Sequence, residues 1–401
     1  MQMIFQRTAT FETVRRPRQP SRRGAFALEP VDSLPRLLQR IAELAGRSLE
    51  PNPFFLPEFL EPAIQALGCR RVKLATISDR DDLRFFAPVV ATGRGLLSGP
   101  QLRIWTHPYA PLGSPLIDRD FAKQIAESLL AHLSTSGRRQ LTLPDLPLDG
   151  LTAAALRAAA GRRGYATEAS LQLRPILRPQ AGDGLHTFDE MVAQKRRREL
   201  DRQLRRLCET GSVSFMPART PSEIDAAFNM FIALEASGWK GRKGTALQRR
   251  DSILRFARAA VQRLAQKEQA AIDVIRLGDR PIAALIRLEH GGLSIPWKIA
   301  YDEEFAAFSP GKQLMCDATR RWLLDPAVTR VDPVCDEDNP LMAGLWTERE
   351  RYGTLIISTR RWALGARVSA GLINLRSAGK RRAKALLSRK RPTKSTARKS
   401  N

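Results

Sequence analysis

Residues 297–324 read WKIAYDEEFAAFSPGKQLMCDATRRWLL: a strand-like run, an acidic aromatic segment, and a Ser309-Pro310-Gly311-Lys312 corner ahead of an amphipathic helix pattern. Two kinds of chemistry fit that corner. As a cap, Ser309 accepts an N–H of the first turn, Pro310 occupies the first helical position, and Gly311 tolerates a tight bend. As a binding site, unpaired N–H groups, the positive helix end and Lys312 receive an anion such as a phosphate. The corner by itself leaves both open. Other familiar chemistry is absent, since the sequence contains no GxSxG, HExxH or GxxxxGK[ST]. Cys69, Cys208, Cys316 and Cys335 are far apart and lack CxxC spacing, so they read as reduced, packed thiols and form neither a disulfide frame nor a zinc site. His107 and His290 are isolated and read as structural.

The elements that would position the corner follow from periodicity. Helices are expected at 31–47, 118–133 and 151–163, a loop and then a helix over 52–68, and strands at 72–77, 84–91, 102–106, 141–146 and 168–177. A very basic helix from about Thr187 opens a second half, followed by a strand at 212–218 and a helix behind the capping-box run Thr220-Pro-Ser-Glu223. A helix at 250–267 and strands at 271–277, 281–290 and 293–301 lead to the corner and its helix. A strand at 328–334, a short helix at 339–346 and a strand at 352–358 close the body, and Gly278-Asp279 and Gly291-Gly292 signal hairpin turns. Each half contains a Trp four residues before a Tyr, Trp105/Tyr109 and Trp297/Tyr301, with a Ser/Pro/Gly corner soon after. The parallel suggests an internal duplication and a chain of two α/β (α+β) domains, each a mixed, mostly antiparallel sheet flanked by helices.

At 401 residues and 43% apolar content the chain can fold as about two domains. No apolar run approaches the length of a membrane span or a signal peptide, so a cytoplasmic location is expected, with the inner membrane surface as a peripheral site. The formal net charge of +25 sits mostly at the ends. Residues 1–29 contribute +4 and residues 360–401 contribute +14, leaving +7 for the body. The expected organisation is a basic disordered arm (1–29), two domains (30–186 and 187–359) and a basic amphipathic or disordered tail (360–401) that suits an anionic membrane surface or RNA.

Four stretches of the second half carry a family likeness: KRRRELDRQLRRLCETGSVSF (195–215), FIALEASGWKGRKGTAL (231–247), IAYDEEFAAFSPGKQL (299–314) and VDPVCDEDNPLMAGLWTERERYG (331–353). Together they resemble the CelD-like branch of the GNAT acetyltransferase superfamily over residues 187–359, and a degenerate first copy would make the chain similar to the tandem FemAB-type transferases. The resemblance implies two GNAT-like domains and an N-acyltransferase that uses acetyl-CoA or another acyl-CoA and no metal. Its donor's pyrophosphate would lie on Ser309, Pro310, Gly311, Lys312 and Gln313. The acceptor implied is a small amine, such as an amino sugar in polysaccharide or envelope biosynthesis. The corner departs from the common Q/R-x-x-G-x-G/A pattern, retaining one glycine, and an aminoacyl-tRNA donor of the FemAB type suits the basic helix equally. A non-catalytic scaffold that binds RNA or membrane is the remaining alternative.

Acyl transfer to an amine needs a base, donors to the oxyanion and an acid for the leaving group. Around the corner, Asp302 and Asp332 are expected to face one cleft as base or acceptor-binding carboxylate, with Tyr301 as proton donor to the thiolate. Trp239, Lys240, Trp297, Asp336 and Asn339 are the expected acceptor contacts.

Overall fold

The computed structural model describes residues 24–389 apart from 68–70, 93–100, 181, 343 and 361–362. The first run of elements is β1 (Ala25–Pro30), α1 (Leu34–Gly46), α2 (Pro57–Leu67), β2 (Val72–Asp79), β3 (Asp82–Thr92), β4 (Gln101–Ile104), β5 (Leu116–Ile117), α3 (Ala122–Thr135), β6 (Gln140–Pro147), α4 (Leu151–Arg163) and β7 (Tyr165–Pro175). The second begins with α5 (Leu185–Met191), α6 (Gln194–Cys208), β8 (Val213–Ala218), α7 (Pro221–Ser237), α8 (Trp239–Arg242) and α9 (Asp251–Ala265). It continues through β9 (Ala270–Leu277), β10 (Arg280–His290), β11 (Leu293–Tyr301), α10 (Pro310–Leu324), β12 (Arg330–Val331), β13 (Arg349–Ser358) and α11 (Leu364–Arg389).

Local chemistry explains these elements. Thr220 accepts from the Glu223 N–H while the Glu223 carboxylate accepts from the Thr220 N–H, a reciprocal cap that starts α7. The β9–β10 and β10–β11 turns carry Gly278, Gly291 and Gly292 in the left-handed region that side chains disfavour. On α9, Ile253, Phe256, Ala257, Ala260, Val261 and Leu264 repeat at helical spacing and are buried.

Two sheets result, ordered β1-β2-β3-β4-β6-β13-β7, with β5 on β3, and β12-β11-β10-β9-β8. Each is antiparallel but for one parallel pair, β4–β6 in the first and β11–β12 in the second. Parallel neighbours need a crossover, which α3 and α10 supply at equivalent places. The two halves share a core, in which Phe59 of α2 meets Phe256 of α9 and Trp297 of β11 edge to face, with centroids 5.3 and 5.7 Å apart.

Several expectations are corrected. Ala25–Pro30 is not a disordered arm, because its backbone pairs with β2; residues 1–23 lie outside the described residues. The expected 187–359 domain loses its last strand, since β13 pairs with β6 and β7 in the first sheet. The strand expected at 328–334 shrinks to Arg330–Val331, and the short helix expected at 339–346 is a series of turns around the undescribed residue 343. The basic tail is helical over Leu364–Arg389, one of the two forms expected, but it is not a separate tail there: Ala363, Ala366 and Ala370 pack against Ala169 and Ile356 of the first sheet. Residues 390–401 and Cys69 lie outside the described residues. No helix among the described residues is long and apolar enough to cross a membrane.

A buried polar cluster fastens β13 to the end of β12. The Tyr352 hydroxyl accepts from Arg330 at 2.6 Å and donates to the Asp332 carboxylate, while Arg330 also grips Glu350. Tyr352 is fully buried, so removing its hydroxyl strands a carboxylate and a guanidinium together. Tyr352→Phe is expected to lower the unfolding free energy by about 2 kcal/mol. Urea unfolding should show this as a lower midpoint with unchanged slope.

Candidate functional site

The parallel pairing of β11 with β12 involves only Leu293↔Arg330 and Ser294↔Val331. Beyond Ser294 the chains diverge, while β11 stays bonded to β10 as far as Tyr301. The gap opens a cavity of about 920 Å³. One side is β11 from Pro296 to Tyr301; the others are Pro333–Cys335, the start of α10, and the α7–α8 junction.

At the parallel pair of the first sheet, the 111–115 loop lies against β6. A Cβ on Gly113 would lie 1.9 Å from the Pro144 carbonyl oxygen, so only glycine allows that loop to press onto β6. The Gly113 N–H donates to the Asp145 carbonyl, and the fully buried Asn52 amide donates to the carbonyls of Leu112 and Ser114. The chain's own 111–115 loop seals that position.

At the open site Ser309 takes φ 52°, ψ 49°, a left-handed conformation that costs a residue with a side chain and turns the chain sharply into α10. Its side chain does not cap the helix. The Ser309 N–H donates to Ala306 O, those of Lys312 and Gln313 donate to Ser309 O, and Pro310 has none. Gly311 therefore holds the one N–H of this corner with no backbone acceptor among the described residues. A Cβ on Gly311 would lie 3.4 Å from Tyr301 Cδ1, so the open amide and the phenol share one corner. Burial and the nearby Arg196 charge both push the Lys312 pKa down, so two cations stand near one another at this corner.

The expected donor contacts Ser309, Pro310, Gly311 and Lys312 line the cavity. Gln313 does not: it is buried, and its amide donates to Leu200 O, fastening α6 to α10. Of the expected catalytic groups only Tyr301 lines the cavity. Asp302 turns outward, pairs with Arg280 and caps Glu304 N–H at 3.0 Å. Asp332 is 1% exposed, with its oxygens taken by the Tyr352 hydroxyl and the Val334 N–H, so the two aspartates share no cleft. Trp239, Lys240, Trp297 and Asn339 line the cavity, and Asp336 does not. The Trp297 Nε1–H donates to Tyr109 O at 2.8 Å, tying β11 to the first half. Cys316 is buried, and its thiol is pushed up to about 11 by that burial, as befits a packed residue.

Two groups on the wall escaped the sequence reading. Glu235 is 2% exposed and accepts from Lys240 Nζ at 3.0 Å and from Leu247 N–H at 2.7 Å. Lys240 Nζ also reaches the Ile299 carbonyl. Lys298 lies over the rings of Tyr109 and Trp297 at 5.0 and 5.5 Å, and burial with the Lys240 charge lowers its pKa to about 8. A signal for each was present: Glu235 falls on the apolar stripe of α7, and Lys298 interrupts an apolar strand.

Comparison with known proteins agrees with this geometry. Residues 194–339 match the family model described as an acetyltransferase (GNAT) domain. No curated protein matches the chain in sequence. Among solved structures, the C-terminal domain of a candidate lysylphosphatidylglycerol synthetase from Agrobacterium fabrum superposes with a TM-score of 0.52 at 9% identity, over 85% of this chain and 97% of that one. FemX gives 0.51 at 12% identity, over 80% and 95%. A conserved protein of unknown function from Bacteroides thetaiotaomicron gives 0.51 at 12%, over 83% and 99%. At these identities the likeness is one of fold, which is GNAT-like.

The Glu235–Lys240 pair holds α8 against β11 and so shapes one wall. Lys240→Met leaves a buried carboxylate short of its cation and is expected to cost about 3 kcal/mol, most of it recovered on adding Glu235→Gln. Chemical denaturation of the single and double variants measures both.

Proposed function

We propose that this protein is an N-acyltransferase whose donor is an acyl-CoA thioester and whose acceptor is a small amine, both entering the cavity between β11 and β12. The observation that carries the reading is the coincidence of three features: a strand edge left unpaired beyond Ser294, a helix N-terminus with an open Gly311 amide, and cations at the same corner. The residues fit such a donor. Lys312, with Arg196 close by, gains from an anion that relieves the crowding of charge, and the Gly311 N–H adds a donor on the positive end of α10. The free edge of β11 gives an extended amide chain the hydrogen bonds a neighbouring strand would supply. When bound, the thioester supplies the activated acyl carbon.

The protein's own groups then position and exclude. Leu285, Ile299, Met315, Leu341 and Met342 make much of the wall apolar, which removes water and strengthens the polar contacts that remain. Tyr301, beside Gly311, is placed to give a proton to the departing sulfur. Trp297 and Trp239 line the space open to the acceptor. The amine of an amino sugar used in polysaccharide synthesis is the acceptor that the sequence resemblance favours.

One observation favours a second donor. The exposed residues Lys195, Arg198, Arg202, Arg205 and Arg206 lie on α6, which Gln313 ties to the start of α10. A polyanion such as an aminoacyl-tRNA could run along that face with its acylated end in the cavity.

Saturating acetyl-CoA is expected to raise the melting temperature by about 5 °C. Gly311→Trp, which fills the corner, abolishes the shift, and Lys312→Glu weakens binding about tenfold. A shift with aminoacylated tRNA and none with acetyl-CoA transfers the reading to the second donor; no response to either removes it.

A further inference from the structure

An amine acceptor arrives as an ammonium ion and must lose a proton before it attacks, yet the two carboxylates among the residues lining the cavity are already committed. Glu235 is held by Lys240 and by the Leu247 N–H. Glu303 accepts from the Trp239 N–H and from Arg242. Asp302 is paired with Arg280, and Asp332 is enclosed by Tyr352 and the Val334 N–H. The thiol of Cys335, also on the wall, is pushed up to about 12 by burial and stays protonated. His107 is not among the lining residues; its ring lies tilted against Trp105 and accepts from the Tyr109 N–H.

Lys298 differs from all of these. It lines the cavity on β11, between the Trp297 and Tyr109 rings, and makes no hydrogen bond or ion pair with any described residue. From this placement, and resting on the acyl-transfer reading above, we infer that Lys298 is the catalytic residue that takes the proton from the acceptor amine.

The step balances without another reagent. The lone pair of neutral Lys298 Nζ accepts a proton from the acceptor ammonium. The freed amine nitrogen bonds to the acyl carbon, the carbon–sulfur bond breaks, and the sulfur leaves with that electron pair. Tyr301 gives its phenolic proton to the sulfur and takes the second nitrogen-bound proton in return, and Lys298 returns its own proton to solvent as products leave. The surroundings support this cycle. Burial and Lys240 on α8 push the Lys298 pKa down to about 8, against the opposing pull of Glu235 on α7, while Arg250 acts on the neighbouring Tyr109. The group therefore exchanges its proton near neutral pH.

The assay is acetyl transfer from acetyl-CoA to glucosamine, lysine and a short diamine by the full chain, with Lys298→Arg and Lys298→Met alongside. Expected is a wild-type kcat/KM that rises to a plateau above pH 8, and a loss of at least about 100-fold in both variants, since arginine keeps the charge and cannot give up its proton. If Lys298→Arg keeps most of the activity and Lys298→Met mainly raises KM, the lysine clasps an anionic group of the substrate and the inference is overturned. A second measurement needs no acceptor. A lysine with a folded pKa below its unfolded one costs stability in full below pH 8, and the cost fades as pH rises toward 10.5. Lys298→Met should therefore melt above wild type at pH 7, with the gain shrinking toward pH 10. A gain that does not change with pH overturns the inference whatever the assay shows. Wild-type protein that transfers to none of the amines, with the pH-dependent melt intact, ends the acyl-transfer reading and the proton-acceptor role with it.

Discussion

The site depends on the early parting of β11 from β12. Two residue pairs join these strands, after which β11 continues with one edge unsatisfied by any strand. Backbone groups in a protein interior need partners, so an open edge inside a folded sheet is sustained only where water or a ligand can reach it. The first sheet shows the alternative. There the 111–115 loop, admitted by Gly113 and stitched by Asn52, presses onto β6 at the equivalent place. The two halves repeat one architecture with opposite outcomes at its centre.

What keeps the gap open is distributed around it. On one side the Asp332–Tyr352–Arg330–Glu350 cluster holds the chain after β12 to β13, and hence to the other sheet. On the other, Lys240 bridges Glu235 and the β11 backbone. Buried charges like these contribute little net stability against an apolar replacement, but losing one partner is costly, so they fix geometry more than they add free energy. The acids on the cavity wall, Glu235 and Glu303, are taken up by Lys240 and Arg242, while Lys298 and Lys312 line the same space, a balance that favours an anionic ligand and an easily deprotonated lysine.

Much of the fold was legible because its signals are local. The Thr220/Glu223 cap, the α9 stripe and the glycine turns each state their element within a few residues. The corner at 309–312 was likewise visible as a helix start facing a cleft. What was not legible depends on distant partners. The apolar run of β13 suits either sheet, and only the three-dimensional match to β6 and β7 assigns it. Asp332 and Asp302 look alike as acids at strand ends, yet one meets a buried tyrosine and the other a surface arginine. Gln313 reads as part of the corner until α6 is seen behind it. Glu235 and Lys298 are charges set in apolar patterns, but such a charge says only that a partner or a purpose exists, and both were passed over.

The central claim is that the β11 edge and the α10 corner form a donor site while the matching place in the first sheet does not. Amide hydrogen exchange with and without acetyl-CoA reads both places in one experiment. The account requires slower exchange over residues 295–301 and at Gly311 when acetyl-CoA is present, with residues 101–116 unchanged. Unaltered exchange along 295–301, or protection appearing at 101–116 instead, would contradict it.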